Sequence, residues 1–295
     1  MSELQARLRE GRPVLLDGGL GTQLMARGMA VGACTELMVL EHPDWLEDIA
    51  RAYAAAGADV VTANSFGASP LKLKRYDLDA RAAELNRIAV ELARRGGGDE
   101  VWIAGDVGPS GELLQPFGDA APGAVRASYV AQCRALAEAG VDLFIVETMI
   151  DLNEAVLALE AAREVAPDLP VLATMTFDAT PRGFFTVMGN PVDKVCAALA
   201  AAGADAVGAN CGHGGRTLVE VARAFVQHST LPVVIQPNAG LPELVDGQAC
   251  YRETPGFLVE RARELLDLGV RIVGGCCGTT PEHIAALRAL IDERG

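Results

Sequence analysis

The 295-residue sequence is short of aromatic side chains, at 5%, and carries only 4 histidines. A cage for a quaternary ammonium needs several aromatic faces around one cation, and a metal centre of the three-imidazole type needs most of a histidine complement this small. Basic residues are also scarce: 25 Lys and Arg face 39 Asp and Glu, for a net charge of −14. Binding a phosphate backbone requires clustered cations, so this balance argues against nucleic acid as the main partner. The charge itself is of the kind that keeps a protein soluble. No uncharged apolar run approaches the ~20 residues of a membrane helix. The first residues, MSELQARLREGRPVLLDGG, contain no apolar signal core. The expectation is a cytoplasmic protein that needs no membrane, with an oligomeric state the sequence leaves open. The 7 cysteines are odd in number and too dilute for a disulfide scaffold; in a reducing compartment, clustered cysteines point to metal or catalysis.

Eight short apolar runs are present, centred on Leu15, Val61, Ile103, Ile145, Ala173, Val207, Ile235 and Val273. They are apolar on consecutive residues, as strands covered on both faces are, and each gap holds one helix and two loops. Residues 46–56, 127–139, 152–165 and 257–268 are rich in Ala, Leu, Glu and Arg, with apolar positions recurring at three and four. A small repeat joins helix to strand: AAAGADVV (54–61), AEAGVDLF (137–144), AAAGADAV (201–208) and LDLGVRIV (266–273). In each, Gly should end the helix in the left-handed conformation and a strand should start two residues later. No Ser/Gly/Pro-rich linker divides the chain; 96–99 is a short loop and 179–193 a longer one. The pattern predicts an α/β fold, a single (β/α)8 barrel occupying residues 1–295 as one domain.

Barrel chemistry sits at the C-terminal ends of the strands. Here those ends carry Asp17, Asn64, Asp106, Glu147, Asp178, Cys211, Asn238 and the pair Cys276-Cys277. Cys211 in GANC and the two cysteines of GGCCG face one pocket, where three thiolates can hold one zinc and leave a fourth position open. Neighbouring strand residues point to opposite faces, so Cys276 and Cys277 converge only if the strand has given way to a turn, for which Gly274, Gly275 and Gly278 give freedom. Two plainer readings stand beside this one: buried thiols acting as small hydrophobes, assigned to Cys34, Cys133, Cys196 and Cys250, and a vicinal disulfide at 276–277. His213 is placed to line the pocket or face solvent, or else to close the metal site as a fourth ligand. Glu147 can take the ammonium of an amino acid. Asp151, in a D-x-x-E spacing, reads as a helix cap, as does Thr280 before Pro281. The DGGLG turn at 17–21 can offer backbone N–H groups to a carboxylate, or is simply a tight turn. Asn238 is the residue of PNAGLP best placed to reach the pocket.

The motifs DGGLGTQL, TANSFGAS, GDVGPSGE, VETMIDLNEA, GANCG, PNAGLP and GGCCGTTPEHI run in that order from residue 17 to residue 284. Together they resemble the homocysteine S-methyltransferase family, and most of all the homocysteine-binding barrel of cobalamin-dependent methionine synthase. The resemblance implies zinc held by Cys211, Cys276 and Cys277, and homocysteine held at its amino group by Glu147. Asp17 and the backbone of Gly18 and Gly19 would help hold the amino acid, with Asn238 near the metal. The folate and cobalamin domains of the large methionine synthases have no counterpart here, and RGFFTVMGN (182–190) departs from the expected loop. A methyl-corrinoid carried on a separate protein, S-methylmethionine or betaine are the donors this leaves, the last at odds with the low aromatic content. A different small thiol, a zinc hydrolase and a non-catalytic zinc barrel are the other readings; three thiolates favour alkyl transfer over hydrolysis, because they leave the metal less acidic than three histidines would.

Overall fold

In a computed structural model, which describes residues 3–245 and 248–294, eight parallel strands form one sheet. They are β1 (Val14–Leu15), β2 (Val60–Thr62), β3 (Trp102–Val107), β4 (Leu143–Met149), β5 (Val171–Met175), β6 (Ala206–Gly214), β7 (Val233–Asn238) and β8 (Ile272–Val273). Each of the eight apolar centres expected from the sequence falls inside one of them. Neighbours in sequence are neighbours in the sheet, β8 returns to pair with β1 through Val14–Ile272 and Leu15–Val273, and a bridge between Leu16 and Val60 closes the ring. This is the (β/α)8 barrel.

The two-residue period of a strand sorts side chains into two cores. Val14, Leu16, Val60, Ile145, Leu172, Val234 and Ile272 point inward and fill the barrel, with Leu4 from the helix Glu3–Arg9 packed among them. The alternate residues, such as Leu15, Val61, Ile103, Phe144 and Val207, pack outward against the helices. Beyond the apolar filling, the inward positions nearer the C-terminal ends change character: Thr62, Asp106, Glu147, Thr174, Asn210 and Gln236. The barrel thus has an apolar body and a polar end.

The helices follow the expected pattern. Those at Pro43–Ala55, Pro122–Glu138 and Pro255–Leu268 carry proline in the first turn, where its missing N–H costs nothing. Asp151 caps Leu152–Val165 through the N–H of Asn153 at 2.8 Å. Its expected partner Glu154 does not close a capping box; it turns away and binds the Ser110 N–H (2.8 Å) and the Tyr129 hydroxyl (2.8 Å). Thr280 and His283 do form a capping box at Pro281–Glu293.

Gly57, Gly140, Gly203 and Gly269 have φ of +90°, +88°, +98° and +99°, the left-handed helix ends that the repeat implies. Three of the four repeats place Asp two residues later, and the structure shows why. Asp59, Asp142 and Asp205 each accept the backbone N–H of the preceding strand: Leu15 at 2.7 Å, Ile103 at 2.7 Å and Val171 at 2.8 Å. Each carboxylate is also paired with an arginine: Arg7, Arg94 and Arg163.

Two expectations are corrected. Asp178 is not at the mouth of the barrel. β5 ends at Met175 and the chain leaves the sheet, so Asp178 is exposed at the start of a hairpin, Asp178–Thr180 with Gly183–Phe185. Cys250 is only half-buried, because it lies in a second ribbon, Glu243–Val245 with Gln248–Cys250, outside the barrel. The other three cysteines expected in the core are buried. Among the described residues, no helix is long and apolar enough to cross a membrane.

The Asp59 arrangement has a measurable consequence. Its carboxylate satisfies the Leu15 N–H and both Arg7 and Arg288 at the seam where the ring closes. Asp59→Ala leaves a buried donor unsatisfied, a loss of about 1–3 kcal/mol. Urea unfolding should show that loss, while breaking an exposed ion pair such as Arg81–Glu84 should leave the unfolding midpoint almost unchanged.

Candidate active site

β8 stops at Val273, so residues 274–280 form an irregular turn, and Cys276 and Cys277 are released from strand alternation. The turn is held on both sides: Gly275 N–H donates to Asp17 O (2.9 Å), Cys276 N–H to Pro237 O (2.9 Å), and Cys277 O accepts from Ala239 N–H (2.9 Å). Gly278 has φ of +80°, and a Cβ there would stand 2.1 Å from Cγ of Tyr251; both conformation and space require glycine. Cys211 arrives from β6 at φ +60°, a conformation that costs a non-glycine residue energy and is found where structure holds it in place. The result is that the sulfur atoms of Cys211, Cys276 and Cys277 all lie within 4.8 Å of one another. All seven cysteines are free, so no vicinal disulfide is formed.

Asn210 fixes this geometry. Its Oδ1 accepts from Thr148 N–H (2.8 Å) and Thr174 Oγ1 (2.7 Å), and its Nδ2 donates to Thr148 Oγ1 (2.7 Å) and toward Cys276 Sγ (3.7 Å). Thr148 is itself at φ +58°, unusual for a β-branched residue. The sulfur cluster shares its protons. Hydrogen bonds from Cys276 and Cys277, together with the Gly212 N–H and Asn238, hold the Cys211 thiol far below its ordinary value; the same bonds to Cys211 push Cys276 and Cys277 upward. The three thiols therefore titrate as one coupled group and not independently. Cys277 also meets the Tyr251 hydroxyl.

The cysteines open on a cavity of about 410 Å³ at the C-terminal end of the barrel, lined also by Asp17, Gly18, Gly19, Asn64, Asp106 and Glu147. Asp17 Oδ2 accepts from the Thr62 N–H (2.7 Å) and hydroxyl (2.9 Å); burial nevertheless raises its pKa to about 7. Glu147 has Gln236 Nε2 at 3.5 Å, and burial, reinforced by Asp17 and Cys211, raises it to about 8. Burial also raises Asp106 well above the carboxylate range, with Glu147 and Asp17 adding to the effect. Removing a carboxyl from water disfavours its charged form, and like charges nearby do the same.

Of the residues singled out from the sequence, Cys211, Cys276, Cys277, Asp17, Gly18, Gly19 and Glu147 are brought to one cavity. The Gly19 N–H is already taken by Thr279 Oγ1 at 3.0 Å. Asn238 stands behind the site: it is buried and donates to Gly212 O at 3.0 Å. The ladder of β6 and β7 shifts register between Asn210 and Gly214, and the Asn238 amide meets Gly212 and Cys211 there. The side chain of His213 lies outside the described residues. Asn210, Thr148, Gln236 and Tyr251 were not singled out. Asn210 had a signal, standing next to Cys211 in GANC; Tyr251 had none, since it follows the ribbon strand Gln248–Cys250, outside the barrel and away from any apolar run.

The family model described as Homocysteine S-methyltransferase matches residues 14–291. Methionine synthase of Mycobacterium tuberculosis is 32% identical over 297 residues, covering 95% of this chain and 25% of that protein. Methionine synthase of Mycobacterium leprae is also 32% identical, over 95% of this chain and 24% of that protein. The chain thus spans about a quarter of the length of these curated relatives. Among solved structures, the metallated form of the homocysteine methyltransferase MmuM from Escherichia coli superposes with a TM-score of 0.79 at 27% identity, covering 98% of this chain and 99% of that one.

The raised carboxyls have a testable sign. In the unfolded chain Glu147 ionises near its ordinary value of 4.5, whereas burial in the fold raises it to about 8. Between those values the folded state binds more protons, so this residue's contribution to stability declines as pH rises. Ligand- and metal-free Glu147→Gln should gain stability relative to the unmutated protein steadily from pH 4.5 to 8, with no further gain above. Denaturant midpoints across that range would show it; a constant difference would mean that Glu147 is ionised in the fold.

Proposed function

The chain belongs to the homocysteine S-methyltransferase family, and from that premise we propose that it methylates the sulfur of homocysteine using zinc held by Cys211, Cys276 and Cys277. The observation that carries this reading is the set of three sulfurs within 4.8 Å of one another at the edge of a carboxyl-lined cavity. A tetrahedral zinc with Zn–S near 2.3 Å needs sulfurs roughly 3.8 Å apart, which small side-chain movements achieve, and one side of the cluster faces the cavity. Zinc bound there supplies a Lewis acid that makes a thiol at its open side available as thiolate at neutral pH.

The protein's own residues do the rest. Glu147 and Asp17 receive the substrate ammonium, and Thr62 holds Asp17 in position for it. The turn at Gly18 and Gly19 backs the amino-acid end, so that the thiol is directed to the cysteines. Asn210 and Asn238 steady Cys276 and the Cys211–Gly212 backbone. Methyl transfer is then an in-line displacement: the sulfur lone pair forms the new S–C bond as the bond from carbon to donor breaks and its electrons leave with the donor. Residues 1–295 act as one domain in this reading.

Two donor classes suit the open end of the barrel. Among the described residues no Lys or Arg lines the cavity, which favours a small cationic donor such as S-methylmethionine. Leu113, Phe117, Val187, Leu241 and Leu244 are exposed and lie in segments between a barrel strand and the next barrel helix; such exposed apolar surface favours a methyl-corrinoid borne on another protein. Betaine is disfavoured, since the cavity offers only Phe66 and Tyr251 as aromatic walls.

Reduced protein should bind one zinc. Homocysteine should add a sulfur ligand to the metal by X-ray absorption and release a proton. Cys276→Ala and Cys277→Ala should each lose zinc and methyl transfer together. A variant that turns over normally without metal would sink the proposal, and zinc that never gains sulfur would point to a structural site.

A further inference from the structure

Three carboxyls line the cavity, and the protein answers them unequally. Asp17 is bonded by Thr62 at 2.7 and 2.9 Å, and Glu147 has Gln236 at 3.5 Å. Asp106 is only 7% exposed, and its buried Oδ1 has no hydrogen-bond partner. The pairing of Asp106 with Ile145 places it on the strand beside Glu147. The charged groups that act on it most strongly are Glu147, Asp17 and Glu36, all acids. Among the described residues, no Lys or Arg lines the cavity to balance them.

A buried carboxyl oxygen without a partner destabilises a fold, and placing the group beside two other acids adds repulsion; the backbone N–H of Val107 is the one donor that meets the Asp106 carboxyl and lowers its pKa. The barrel interior could hold an apolar residue at this position, as it does two residues earlier at Ala104. The arrangement makes sense for a ligand that brings the missing donors. A primary ammonium has three N–H bonds diverging from one nitrogen and needs an acceptor for each. A substrate carboxylate would instead meet like charge on three sides.

We propose that Asp106 joins Asp17 and Glu147 in a three-carboxyl receptor for the α-ammonium of the thiol substrate, and so makes the site selective for amino thiols over thiols that lack the amine. This rests on the reading of the cavity as a homocysteine site. Asp106 is a binding residue here: it touches the substrate at the amine, away from the sulfur that reacts. The proton that an acid of the trio holds in the empty cavity leaves to solvent as the ammonium arrives.

The test is equilibrium binding by the zinc-loaded full chain, without a methyl donor. The probes are homocysteine, 4-mercaptobutyrate, which lacks the amine, and 3-aminopropane-1-thiol, which lacks the carboxylate. Loss of a hydrogen bond to a charged group corresponds to about 10- to 100-fold in affinity. Asp106→Asn should weaken homocysteine and 3-aminopropane-1-thiol by that factor and leave 4-mercaptobutyrate unchanged. Asp106→Ala, with no polar group, should do the same. Both ligand-free variants should melt at or above the temperature of the unmutated protein, because a repelled acid has been removed; a structural residue would give the opposite. If the unmutated protein prefers homocysteine to 4-mercaptobutyrate and the variants keep that preference, the role of Asp106 is overturned while the homocysteine reading stands. Equal weakening of all three probes, or weakening of the carboxylate-bearing pair alone, also overturns it. If the unmutated protein shows no preference for the amine, the amino-acid site itself falls, and Asp106 with it.

Discussion

The site depends on one amide. Asn210 is buried, and it joins the ends of β4, β5 and β6 to the turn after β8 through Thr148, Thr174 and Cys276. A parallel barrel does not by itself bring β6 and β8 together, because β7 stands between them. What spans that gap is the bulge at Cys211, the early end of β8 and the hydrogen bonds that lock both. Two residues at positive φ, Thr148 and Cys211, flank this network. Strain of this kind persists where surrounding contacts over-determine the backbone. An amide suits the position: it offers acceptors to one side and donors to the other, so it can bond a backbone N–H, two hydroxyls and a sulfur at once. A carboxylate could not donate to Thr148 Oγ1 or Cys276, and a leucine would leave all of them unanswered.

The cluster of sulfurs and the cluster of carboxyls are electrically coupled. Cys211 is among the groups that raise Glu147, and Glu147 is among those that raise Cys277. An empty cavity therefore concentrates negative groups that cannot all ionise. Two cations of different kinds relieve this, a soft metal at the sulfurs and an ammonium at the oxygens, and each favours the other by lowering the repulsion it would meet. In the proposed reading, a ligand that holds its thiol and its ammonium a short chain apart would satisfy both ends, and an amino thiol would fit this cavity better than a plain one. The same reasoning disfavours hydrolysis: thiolate donors leave a bound metal weakly acidic, and the neighbouring acids would repel hydroxide.

The barrel was legible because its signal is repeated. Eight apolar runs, four Gly-ended helices and polar residues at successive strand ends all express the same local rule, and the structure agrees at each run. The cysteines and Glu147 were legible because they close apolar strands in motifs. Asp178 misled for the same reason: it follows an apolar run, but β5 ends before it and the chain has already turned outward. Asn238 obeys strand alternation, yet its amide is taken up by Gly212 and Cys211 where β6 shifts register, and such irregularities leave no trace in a periodic pattern. Tyr251 reaches the sulfurs from a long loop, a contact set by chain path and not by local sequence. The Asp of the G-x-D repeat was visible as a repeat without its purpose, because its partners are a strand and an arginine remote in sequence.

That repeat also separates the two ends of the barrel. At the N-terminal ends, Asp59, Asp142 and Asp205 each hold a backbone N–H and an arginine. At the C-terminal ends, Asp17, Asp106 and Glu147 are met by a hydroxyl, a side-chain amide or a backbone N–H, and by no arginine among the described residues. The residue types are alike, so composition cannot tell the two sets apart; only the partners differ. A carboxylate whose charge is met within the fold contributes to stability and has little left to offer a ligand. One left short of donors costs stability and keeps its capacity to bind. The division of acids between the two ends is thus a division between holding the barrel together and receiving what enters it.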